Sequence, residues 1–89
     1  MFDSLFKQIS EMINQYYEYI QFRELFSKGK TKYFECINNK SSNRLGIIKW
    51  YGPWRQYCFF PEPGTIFSKG CLFDIYNFIE ELMNDRKNK

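Results

Sequence analysis

The side chains best suited to recognition chemistry in this sequence are aromatic and cationic, and they crowd one segment. Trp50, Tyr51, Trp54, Tyr57, Phe59 and Phe60 fall between Trp50 and Pro61, with Lys49 just before them and Arg55 among them. Aromatic rings are large, rigid contact area, so such a cluster builds either most of a small core or a binding face. Trp, Tyr and Arg also dominate binding energy at interfaces. The expected contact set for a protein partner is therefore Lys49, Trp50, Trp54, Arg55 and Tyr57, with Lys49 steering acidic surfaces.

Reaction chemistry is harder to assemble from these residues. The sequence has no histidine, which removes the usual general base near neutral pH, the Cys–His and Ser–His nucleophile pairs and the commonest metal ligand. Cys36, Cys58 and Cys71 are widely spaced, with no CxxC, so they make neither a zinc site nor a disulfide framework. Their apolar neighbours suggest buried free thiols. Gly64 to Lys69 lacks the spacing of a phosphate-cradling loop. Glu80 and Glu81 are adjacent, and on a helix they point about 100° apart. The expectation is a protein that is not an enzyme and takes no metal or cofactor.

Charge is distributed unevenly. The net charge of +3 conceals +6 over residues 28–55, where seven Lys and Arg face Glu35 alone, against −2 before and −1 after. Cations interleaved with rings suit single-stranded nucleic acid, because phosphates meet charge and bases stack on rings. Lys28, Lys30, Lys32, Lys49 and Arg55 are the residues that reading would use. They equally suit an acidic protein partner, or simply protect a solvated sheet edge.

These residues need elements to position them. Eighty-nine residues make one domain, and the 21% aromatic content compensates for a small core. Phe2, Leu5, Phe6, Ile9, Met12, Ile13, Tyr16 and Ile20 follow a helical spacing, with no Gly or Pro before Gly29. A helix is expected over about residues 4–27, its stripe drifting after Ile20, with Lys28-Gly29 as its stop. Strands are expected over residues 32–37, 44–51 and 54–60, and a second helix over 69–83, N-capped by Ser68 and stapled by Phe67 on Leu72. Residues 84–89 read as a frayed tail. The resulting fold class is α+β, two layers, with a helix–three-stranded antiparallel sheet–helix (αβββα) order.

The hairpin at Gly52-Pro53 admits two registers. A two-residue loop sets Tyr51 opposite Trp54 and groups Leu45, Ile47, Lys49, Tyr51, Trp54, Gln56, Cys58 and Phe60 on one face. A three-residue loop, residues 51–53, instead groups Ile48, Trp50, Trp54, Cys58 and Phe60. A one-residue slip changes every cross-strand partnership. In either register, rings fall on both faces of the sheet, which points to an exposed patch.

No apolar run is long enough for a membrane span. Met1 to Ile20 carries Asp3, Glu11 and Glu18 rather than a signal peptide's basic start and apolar block, so a cytoplasmic protein is expected.

The run from Leu45 to Pro61, with its WYxPWRQYxFFP pattern, resembles a family of small proteins encoded by bacteriophages and prophages. Thr65, Phe67, Cys71-Leu72, Asp74-Ile75 and Phe78-Ile79 extend the likeness over about residues 32–82. The resemblance implies a small accessory protein of a mobile element, acting in bacterial cytoplasm, and brings no catalytic residues with it. The αβββα order is also that of double-stranded RNA-binding domains. Their basic cluster at the start of the second helix is missing here, where Lys69 precedes Gly70-Cys71-Leu72.

The leading expectation is thus a protein-binding module that inhibits a host defence complex, in the manner of an anti-CRISPR, by occupying a functional surface. The alternative is a nucleic-acid-binding accessory using the basic, aromatic sheet. A homodimer burying the aromatic face is a third arrangement.

Overall fold

A computed structural model describes residues 14–17 and 19–87. The strands are β1 (Asn14–Tyr16), β2 (Ile20–Lys28), β3 (Thr31–Asn38), β4 (Arg44–Tyr51) and β5 (Gln56–Pro61), and one α-helix, α1 (Lys69–Lys87), follows. The strands form one antiparallel sheet in the order β1-β2-β3-β4-β5. Four are long and β1 is a short edge. The architecture is α+β, with α1 packed on one face of the sheet.

The first element expected from the sequence is overturned where it can be seen. Residues 14–16 and 20–27 are strand, not helix, and residues 4–13 and 18 lie outside the described residues. Lys28-Gly29 is not a helix stop but part of a hairpin turn, with Lys28 paired to Thr31 and Gly29 at φ 63°. Glycine in the first central position suits a two-residue hairpin turn. The three later strands fall close to their expected positions. The last helix runs on to Lys87, so the tail expected to fray is helical as far as it is described.

Alternation along β2 to β5 divides their side chains between the faces. Ile20, Phe22, Phe34, Cys36, Ile48 and Tyr57 point toward α1 and join its Ile75 and Phe78 in one buried cluster. Phe22 lies flat on Phe78, with centroids 4.2 Å apart and planes 2° from parallel, while Phe34 meets Phe78 edge-on. Burying one such ring contributes about 1.5–3 kcal/mol, so Phe22 and Phe78 are central to attaching the helix. Gly46 is required beside them. A Cβ there would stand 2.6 Å from the Phe59 ring and 2.7 Å from the Phe60 carbonyl oxygen.

Two bulges adjust the pattern. Between Glu24 and Phe26 the β2–β3 register shifts, leaving Leu25 as the extra residue, so Phe26 turns to the second face and stacks on Tyr33 at 4.3 Å. Between Cys36 and Ile37 the β3–β4 register shifts likewise, and the extra residue Leu45 packs on the core. Bulges bend and twist a strand where they occur. Ile37 is buried apart from the core cluster, flanked in the ladders by Gln21 and Arg44.

The helix starts as its sequence suggests. The Ser68 hydroxyl accepts the Cys71 N–H at 3.2 Å, an N-cap contact. The expected staple is absent: Leu72 is exposed, and Phe67 packs edge-on against Phe59 at 5.2 Å. Near the other end, Met83 covers the outer edge of β5, where the Tyr57 N–H donates to its sulfur at 3.4 Å. That contact helps to blunt an edge otherwise open to another strand.

Candidate functional site

The β4–β5 connection decides what the aromatic segment presents. Tyr51 pairs with Gln56, and Trp50 with Tyr57, so four residues, Gly52 to Arg55, make the turn. Neither register considered for the sequence is the observed one. Face membership within the strands nevertheless agrees with the two-residue-loop reading, because the pairing shifts by two residues and preserves the alternation. Ile48, Trp50, Tyr57 and Phe59 face α1, whereas Ile47, Lys49, Tyr51, Gln56, Cys58 and Phe60 face the other way.

This splits the expected contact set. Tyr57 is a core residue, 5% exposed, and its hydroxyl accepts the Lys32 backbone N–H at 3.1 Å. Continuing the β3–β4 register would pair Lys32 with Trp50, but the ladder ends at Phe34 and Ile48, so the Tyr57 hydroxyl caps the open N–H. Trp50 is also on the helix side, edge-on to Tyr57, with the Arg86 guanidinium 4.0 Å from its ring centroid. Tyr57 is thus buried in the core, whereas Trp50 is half-buried on the helix side. Lys49, Trp54 and Arg55 lie at the turn or on the face away from α1.

The turn itself is built to display them. Gly52–Trp54 forms a single 3-10 turn with Pro53 inside it, closed by the Arg55 N–H on the Gly52 carbonyl at 3.0 Å. Trp54 is 67% exposed and meets Tyr51 edge-on at 5.1 Å. Arg55 has φ 54° and ψ 46°, a left-handed conformation that disfavours side chains bearing a Cβ. It makes no ion pair among the described residues. An arginine held where glycine fits more easily is a reason to look for a role.

The second face continues the site. The Lys49 ammonium stands 4.7 Å from the Phe60 ring centroid, and Phe60 in turn meets Tyr51 at 6.0 Å. Further along, Glu35 binds Arg44 at 3.0 Å and approaches Arg23 at 3.7 Å. Glu35 thus offsets Arg23 and Arg44, while Lys49 and Arg55 make no ion pair among the described residues. Tyr51 and Phe60 were missed as site residues. Their signal was the register, which the sequence left open.

Among the residues proposed for nucleic acid, Lys28 and Lys30 sit at the β2–β3 turn. In an antiparallel meander this turn and the β4–β5 turn lie at the same end of the sheet, so Lys28, Lys30 and Arg55 share one end. Arg86, over Trp50, brings the end of α1 there as well. Lys32 is half-buried beside Tyr57. Among the described residues no three His, Cys, Asp or Glu side chains gather as a metal site.

The titrating groups with displaced pKa values lie away from the turn. Burial pushes the Cys36 thiol up to about 12, with Cys71 adding to the effect. Burial, with Glu81 and Asp74 nearby, pushes the Tyr17 phenol up to about 12. All three cysteines are free thiols, and only Cys36 is fully buried.

This chain is similar to an uncharacterized 9.3 kDa protein of Acholeplasma phage L2, 39% identical over 71 residues. The matched region spans 79% of this chain and 91% of the phage protein. The chain belongs to the family of this small phage protein. No family model and no solved structure matches it. No helix among the described residues is long and apolar enough to cross a membrane.

Proposed function

We propose that this member of the phage family is a non-enzymatic protein-binding module of a mobile element. It acts in the bacterial cytoplasm and inhibits a host defence complex by occupying an acidic functional surface. The observation that carries the reading is the Gly52–Arg55 turn, which holds an exposed Trp54 beside an Arg55 in a left-handed conformation that makes no ion pair among the described residues. An exposed Trp and Arg side by side are the usual anchors of an interface. Lys49 and Tyr51 extend the same patch, and the cations there give it complementarity to carboxylates.

The test uses Arg55→Gly, which relieves the backbone and is expected to leave stability unchanged or to raise it by up to about 1 kcal/mol. Wild-type protein and this variant are compared in affinity capture from host lysate, together with Trp54→Ala. Proteins retained by the wild type and lost by both folded variants support the reading. Identical capture profiles for all three would sink it.

A second reading, nucleic-acid binding, rests on Lys28 and Lys30 sharing one end of the sheet with Arg55. Phosphate contacts are strongest at low salt, so oligonucleotide binding that stays at background near ~50 mM salt removes this reading.

A further inference from the structure

The two sides of α1 differ in what they meet. Ile75 and Phe78 are buried on the sheet, whereas Leu72, Phe73 and Tyr76 on the outside are 52%, 62% and 59% exposed. Lys69, Phe73, Tyr76 and Glu80 follow one another at spacings of four, three and four residues, which keeps them on one stripe of the helix. All four are exposed. Lys69 and Glu80 make no ion pair among the described residues.

We infer that this stripe is the interface of a two-fold homodimer in which two copies of α1 pack antiparallel. The argument is self-complementarity. With the axis passing between Phe73 and Tyr76, each Phe73 lies level with Tyr76 of the second copy. Each Lys69 then lies level with Glu80 of the second copy, and every contact is made twice, as a closed isologous interface requires. Aromatic pairs meet at the centre and opposite charges flank them.

Other arrangements of the same stripe are worse. A parallel pair sets Lys69 beside Lys69 and Glu80 beside Glu80. An antiparallel pair slipped by one turn sets Phe73 against Glu80, or Tyr76 against Lys69. The charges therefore select a register as well as a partner, in the way flanking charges do in coiled coils. Mixed signs on the stripe also favour a second copy over a polyanion. Tyr76 stands ten residues before Arg86, about 15 Å along the helix, so the dimer leaves the Trp54 turn free.

Sedimentation equilibrium of the full chain tests this directly. The wild type is expected to dimerise, and Phe73→Glu to weaken dimerisation by roughly 100-fold, because it places a carboxylate at the desolvated centre. Glu80→Lys is expected to weaken it roughly tenfold by setting Lys against Lys at both ends. The double variant Lys69→Glu/Glu80→Lys reverses both partners and is expected to restore the dimer. Far-UV circular dichroism and thermal midpoints establish that each variant is folded, which these exposed positions allow. A wild type that remains monomeric at ~0.5 mM overturns the inference. So does a dimer that survives Phe73→Glu, one that Lys69→Glu/Glu80→Lys fails to restore, or one lost instead in Trp54→Ala.

Discussion

Phe22 and Phe26 lie four residues apart on β2, and each stacks on another ring. Phe22 meets Phe78 at 4.2 Å and is fully buried, while Phe26 meets Tyr33 at 4.3 Å and stays 53% exposed. The ring contacts are alike, and what differs is the other surroundings. Phe22 is enclosed by the helix and core strands, whereas the bulge at Leu25 has turned Phe26 to a face on which no described helix lies. Stacking alone contributes about 0.5–1.5 kcal/mol beyond burial. Most of a ring's worth to the fold comes from losing its water, so one face of this sheet supplies stability and the other offers surface.

The sharpest way to break that comparison is to truncate both rings. Phe22→Ala is expected to cost about 3–5 kcal/mol, and Phe26→Ala no more than about 1 kcal/mol, both read from urea unfolding at constant slope. Equal losses would mean that the second face is as dry as the first. Gly46→Ala comes next, with an expected loss of about 2–3 kcal/mol as its Cβ displaces the Phe59 ring. Its companion on the exposed turn, Gly52→Ala, has nothing within 4 Å of the new Cβ and no positive φ, so it is expected to be close to neutral.

Tyr57→Phe separates packing from hydrogen bonding on the buried face. The ring stays, the Lys32 N–H loses its acceptor, and an expected loss of about 1–2 kcal/mol follows in the same unfolding experiment. A neutral result would show that water replaces the hydroxyl. The smallest effect is alkaline. Cys36 titrates near 9 when unfolded and near 12 when folded, so the unfolded chain releases its proton first as pH rises. Its contribution to stability is therefore unchanged below about pH 9 and falls between 9 and 12. Cys36→Ala is expected to move the onset of that fall to near pH 10, where Tyr17, at about 12 in the folded chain, takes over.

Much of the later chain was legible because its punctuation is strong. Asn38 to Asn43 and Pro61 to Gly64 bracket β4 and β5, and Ser68 caps α1, so these elements fell near their expected bounds. β2 was misread for a definite reason. A bulge at Leu25 interrupts the two-residue alternation, and Ile20, Phe22, Leu25 and Phe26 then mimic a drifting helical stripe. The drift after Ile20 was itself the mark of the strand, and Lys28-Gly29-Lys30-Thr31 its turn. The site was half legible. Residue type pointed to Trp54 and Arg55, but an arginine in a left-handed turn has no signature in sequence. Without it the register, and with it the burial of Tyr57 and the helix-side position of Trp50, stayed open.

The Phe22–Phe78 stack joins residues 56 positions apart, whereas every strand pairs with its neighbour in sequence. On a ribosome this sets an order of events. Each hairpin closes locally as it emerges, since short loops cost little entropy to close. The ring of Phe22 stays wet until the helix has been synthesised and folds back. A chain that stops after β5 but before Phe78 therefore has a sheet with two sticky faces, a substrate for chaperones and proteases rather than a working fragment.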